Sequence, residues 1–247
     1  MTSELEPAQH SDSATGTVQA GPSRWLALSG VTFAVLLLFG WFLSGGNTPD
    51  YTAPDAEWVA WAEDSSQLSG IAGFLILLAG VALLHFAGTI RSALGRAETT
   101  LQGSVDLARV AFAGAIVGCA CLAMAIVMVA AASSPGAAAD PVVTRAVGGV
   151  ATAGPYLVAA MGFAAMLGAS GLLTLRTGVF ARWTGFVALI GAVAFLITFV
   201  TILAGTHEDS VFGYGFLPGI LALVIWAVAS SAGTYRSLNR RKSRPLI

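Results

Sequence analysis

The sequence predicts an all-α fold, a polytopic transmembrane helical bundle of six spanning helices with its N-terminus and C-terminus both cytoplasmic. Three observations predict it. Only 10% of the 247 residues are charged and 56% are hydrophobic, whereas a soluble domain is about one quarter charged, so much of this surface must meet lipid. Six apolar segments, at about 25–43, 69–90, 105–132, 146–175, 180–204 and 211–235, each reach or approach the roughly 20 residues that cross about 30 Å of hydrocarbon. Runs of that length without alternation are helices, because in lipid only helices and closed barrels satisfy their own backbone. Finally, the basic residues fall almost entirely in every second connection between the segments, which is the positive-inside pattern that orients such a bundle.

Residues 1–23 are polar and lack apolar periodicity, so they are expected to form a disordered cytoplasmic leader. They have no basic n-region and do not read as a signal peptide. The membrane domain is placed at 24–235 and a basic cytoplasmic tail at 236–247. The connection after the first span, Ser44 to Leu68, has no Lys or Arg and carries Asp50, Asp55, Glu57, Glu63 and Asp64, so it is expected outside. Within it a short separate helix, residues 55–67, is expected to be capped by Asp55. Trp58 and Trp61, three apart, would then lie on one face at the outer membrane interface, where indoles prefer to sit. The alternative is a lid over an outward cavity.

The second connection, flanked by Arg91, Arg96 and Arg109, is expected inside. Asp140–Pro141 after the third span reads as an N-cap with proline at the first helical position. Arg145 breaks the charge pattern on the outer side and is expected to pair with Asp140 or to snorkel. The fourth span is longer than one straight crossing needs, and Gly154–Pro155 gives it a place to break. The sixth contains Gly213 to Gly219 with Pro218, expected to be a second interruption. Two breaks at one depth suggest an outer vestibule, with Tyr156 and Tyr214 as its polar contacts beneath Trp58 and Trp61.

Intramembrane ionisable groups are costly and mark function. The apolar cores of spans one, four, five and six contain no Asp, Glu, His, Lys or Arg, which argues against a proton relay or a voltage sensor. An inner polar cluster of His85, Asp106 and Arg109 is the remaining candidate; Asp106 and Arg109 read most simply as a local ion pair. Cys119 and Cys121 point about 200° apart on a helix, so they cannot clasp one metal. No metal or cofactor is expected, and without a basic face beyond the tail, no nucleic acid. Gly114-x-x-x-Gly118 and Gly215-x-x-x-Gly219 are close-approach faces, for neighbours in the bundle or for a protein partner or homo-oligomer.

Gly168-Ala169-Ser170-Gly171 looks like the GxSG serine motif of rhomboid intramembrane proteases. Those enzymes need a histidine in the sixth helix, where this chain has none, and a serine without a base is a weak nucleophile. The overall layout from Trp25 to Tyr235 resembles the uncharacterised six-helix integral membrane proteins of actinobacterial type, through Arg182-Trp183-Thr184-Gly185 and Leu217-Pro218-Gly219. The resemblance implies a small helical plasma-membrane protein and carries over no catalytic residue. Eleven arginines against one lysine, with abundant Ala and Gly, suit a bacterial genome rich in G and C. The expectation is therefore a non-enzymatic multi-pass protein of a bacterial plasma membrane, an accessory or regulatory subunit. The alternative is a carrier or permease-like binder of a small neutral or lipid-like solute.

Overall fold

In a computed structural model of the chain, the described residues are 28–44, 49, 53–99, 106–134, 140–203 and 211–242. The leader 1–23 and the end of the tail lie outside them. The described elements are all helical: α1 Ser29–Leu43, α2 Asp55–Glu98, α3 Leu107–Ala132, α4 Pro141–Ala153, α5 Pro155–Thr177, α6 Arg182–Leu203 and α7 Val211–Lys242. Five stretches are long and apolar enough to cross a membrane: Leu68–Glu98, Leu107–Ala132, Pro141–Thr177, Arg182–Phe199 and Gly215–Arg236. The described part of the first segment, α1, is an apolar helix of 15 residues, about 22 Å long.

The helices close into a ring. Neighbours α1–α2, α2–α3, α3–α5, α5–α6 and α6–α7 pack side by side, α7 returns against α1, and α4 packs on α2, α3 and α5. Each contact in the ring is antiparallel. Gly30 of α1 lies against Phe86 of α2 and Ser231 of α7, while Gly40 lies against Ile76 and Trp41 against Phe216. The ring is filled rather than hollow: Phe86 meets Trp226 edge-on at 5.7 Å, and Phe195 touches both Phe163 and Phe216. Outward, Phe39, Phe74, Val127, Phe186, Ile190 and Ile225 are exposed. In water so much exposed apolar surface is rare; facing acyl chains it costs nothing.

Small residues set the spacing. A Cβ at Gly162 of α5 would fall on the backbone of Gly118 and within 2.8 Å of the Gly114 carbonyl oxygen of α3. Gly215 lies against Ala194 and Thr198 of α6, and Gly219 against Phe195. Both close-approach faces expected from the sequence are therefore used inside the chain, because backbones that nearly touch gain dispersion contacts that Leu-on-Leu packing in lipid does not supply.

Four local expectations change. Residues 55–67 are not a separate helix: α2 is continuous over 44 residues, about 66 Å. No Gly or Pro lies between Asp55 and Ser69 to stop it, and Asp55 and Glu57 in its first turn favour the helix N-terminus. Gly213 to Gly219 does not interrupt α7, which runs through Pro218; Gly215 and Gly219 serve close packing instead. Asp55 does not cap a helix, and Arg145 pairs with it rather than with Asp140: Arg145 Nη1 stands 3.2 Å from Asp55 Oδ1. Asp140 is committed as the N-cap of α4, accepting from the backbone N–H groups of Val142 at 3.0 Å and Val143 at 3.4 Å. The break between α4 and α5 falls at Gly154, before Pro155. Gly178, at φ 67°, ends α5 in the left-handed conformation that a residue without Cβ adopts freely.

Candidate functional site

Antiparallel packing sorts the charges onto two ends. Arg91, Arg96, Arg109, Arg176, Arg182 and Arg236, all exposed, share one end with Glu98 and Asp106. Asp55, Glu57, Glu63, Asp64 and Asp140 lie at the other, with Arg145 held by Asp55.

At the basic end the turn from α2 to α3 is closed by a residue that the sequence reasoning passed over. Glu98, the last residue of α2, is buried, and its carboxylate accepts from the backbone N–H groups of Leu107 at 2.7 Å and Ala108 at 3.2 Å. Those are orphan donors of the first turn of α3, and an anion there also meets the positive helix end. Asp106, at the N-cap position itself, makes no side-chain cap; it pairs with Arg109 at 2.6 Å, both groups exposed. The signal for Glu98 was its place just before the connection, as one of only two acids among three arginines.

His85 does not join that pair. It lies 13 residues before Glu98 on α2, about 20 Å along the helix, and it is exposed on the same stripe as Phe74, Leu78 and Val81. The structure thus brings Asp106 and Arg109 together and leaves His85 apart.

Between them in depth lies a cleft lined by Arg91 and Leu94 of α2, Ala108 and Phe112 of α3, Ser170 of α5 and Trp226 of α7. The Arg91 guanidinium carbon sits 5.0 Å from the centre of the Phe112 ring, a cation–π geometry. Ser170 and Trp226 are each 1% exposed, and neither the Ser170 Oγ nor the Trp226 Nε1 has a protein partner among the described residues. The same holds for Thr174 one turn after Ser170, and for Ser230 and Ser231 after Trp226. A buried polar group left unmet costs about 1–3 kcal/mol, so this end of α5 and α7 is the least satisfied part of the interior. In the sequence Ser170 belongs to a GxSG motif without a histidine base, and no motif marks the cleft it lines. Hydroxyls spaced four apart in an Ala/Gly helix were the available signal.

The acidic end is built differently. Trp58 is 1% exposed, its ring lies against Gly148 of α4, and it meets Trp61 edge-on at 5.9 Å. It is a wedge between α2 and α4 rather than an indole lying in the membrane interface. Tyr156 meets Phe216 edge-on at 5.7 Å, and Phe216 also contacts Trp41 and Phe195. Aromatic rings therefore fill the depth at which a vestibule between the fourth and sixth spans was expected. The side chain of Tyr214 lies outside the described residues.

Set against protein-family models, curated proteins and solved structures, the chain matches none of them.

Proposed function

We propose that this chain is a non-enzymatic integral membrane protein that crosses a bacterial plasma membrane six times, with both termini on the cytoplasmic side, and serves as an accessory or regulatory subunit. The observation that carries this reading is the closed ring itself: six antiparallel helical elements, counting α4 and α5 as one, have a centre filled by Phe86, Trp226, Phe163, Phe195 and Phe216. Such an interior suits a scaffold better than a conduit. The basic end, with Arg91, Arg96, Arg109, Arg176, Arg182 and Arg236, would face the cytoplasm by the positive-inside rule, and the tail would add about 1 kcal/mol per basic residue near anionic lipid. A partner would meet faces other than the two glycine faces, which the bundle itself uses.

Purification from native membranes in mild detergent tests the role: a stoichiometric companion is expected, and a chain that runs alone sinks the accessory assignment. Side-specific labelling of introduced cysteines, with Cys119 and Cys121 replaced, tests the orientation. A first loop inaccessible from outside, or a tail labelled from outside, overturns it.

A second reading, a carrier or permease-like binder of a small neutral or lipid-like solute, draws support from the unmet hydroxyls of Ser170, Thr174, Ser230 and Ser231. Its polar contacts would lie toward the basic end and not at Tyr156. Uptake of labelled neutral solutes into proteoliposomes decides it; fluxes equal to those of protein-free vesicles rule it out.

A further inference from the structure

The cleft between α2 and α3 combines three features that belong together chemically. Its rim carries an exposed cation, Arg91, which has no carboxylate partner among the described residues. Its depth carries Ser170 and Trp226, nearly wholly buried and unmet by any described residue. Its walls are partly Ala87, Ala108 and Ala111, whose methyl groups leave a gap that larger side chains would close. The cleft is partly open and its volume is about 10 Å³, the lower limit for one water-sized atom or group.

All three polar residues can donate: a guanidinium has five N–H donors and no acceptor, an indole is a donor only, and a hydroxyl adds one more. A guanidinium at the rim, backed by two buried donors that no described protein group meets, selects an acceptor oxygen, and its charge selects an anion. Depth narrows the choice further. Arg91 follows Leu68, where the apolar stretch of α2 begins, by about 34 Å of helix rise, close to one hydrocarbon thickness. The guanidinium therefore stands at the level of lipid headgroups, and the slot just beneath it.

We propose that this cleft binds the phosphodiester of an anionic membrane lipid. One non-bridging phosphoryl oxygen enters the slot toward Ser170 and Trp226, Arg91 neutralises the charge at the rim, and the acyl chains stay in the surrounding bilayer. The proposal rests on the membrane-spanning reading but on neither functional role above.

The full chain, extracted in mild detergent, is incubated with phosphatidylglycerol, with diacylglycerol of the same acyl chains, or with inorganic phosphate, and retained ligand is counted by native mass spectrometry. One phosphatidylglycerol per chain is expected, retained about tenfold better than diacylglycerol. Arg91→Gln should abolish that preference, and Ser170→Ala should weaken it about two- to fivefold. Arg109→Gln, whose guanidinium is already paired with Asp106, should keep it. Equal retention of the two lipids, or an unchanged preference in Arg91→Gln, overturns the proposal. Arg91-dependent retention of inorganic phosphate without phosphatidylglycerol overturns the lipid assignment.

Melting curves give an independent reading. Ser170→Ala removes an unmet hydroxyl, so it should raise the lipid-free melting temperature while shrinking the gain on adding phosphatidylglycerol. A gain as large as that of the native chain counts against the site. Extraction of the protein from membranes by alkaline carbonate would instead reject the membrane-spanning reading, and this site with it.

Discussion

Arg145 Nη1 lies 3.2 Å from Asp55 Oδ1, tying the start of α4 to the first residue of α2 across 90 positions of chain. The pair explains the one arginine among the described residues of the acidic end: Arg145 is the counter-charge of a helix terminus that would otherwise carry acids alone. Its side chains are 39% and 49% exposed, so solvent screens it and its worth is about 0.2–1 kcal/mol. Asp55→Asn and Arg145→Gln should each lower the unfolding midpoint slightly, and the double variant should lower it by no more than the larger single effect. Strict additivity in that cycle would show that the two groups do not interact.

Gly162 and Gly80 provide a contrast within one bundle. Gly162 faces the backbone of Gly118, whereas a Cβ at Gly80 meets nothing within 4 Å. Gly162→Val should separate α3 from α5 and cost about 3 kcal/mol or more. Gly80→Ala should be neutral or gain up to about 1 kcal/mol of helix propensity. Thermal unfolding in one detergent compares them, and a mild Gly162→Val would contradict the α3–α5 contact.

Trp58 and Trp61 should differ sharply despite their spacing. Trp58 fills the space against Gly148, while Trp61 is only half-buried. Trp58→Ala is expected to cost about 3–5 kcal/mol, and Trp61→Ala appreciably less. Equal effects would return both indoles to an interfacial role.

Glu98→Ala should cost about 0.5–2 kcal/mol by removing the cap on Leu107 and Ala108. Glu98→Gln keeps an acceptor and should recover about half. Asp106→Ala, removing only an exposed ion pair, should change stability by less than about 1 kcal/mol. A larger loss at Asp106 than at Glu98 would reverse the assignment of the cap.

How much of this protein the sequence carried follows the range of each interaction. Helical class, membrane-compatible segments and the N-cap at Asp140 are local properties, written in runs of apolar residues and in a two-residue motif. The break at Gly154–Pro155 was equally legible, since Pro155 lacks the N–H that would carry α4 onward, whereas Pro218 loses the same donor without ending α7. Gly213 to Gly219 carries similar residues and gives no interruption, because glycine's weakness in a helix is outweighed when its missing Cβ admits Ala194, Thr198 and Phe195 to close contact.

The sequence by itself determined what each residue must avoid: charge in the hydrocarbon, and bare backbone ends in lipid. That was enough for an all-helical membrane-compatible chain with its charges near the segment ends. Only the tertiary structure decided which groups meet. The ring closure of α7 on α1, the Arg145–Asp55 bridge, Glu98 over the start of α3, and the convergence of Arg91, Ser170 and Trp226 on one cleft join residues from different helices. Helical periodicity sets the face on which each residue lies; the neighbour across that face is set by how six helices share one volume.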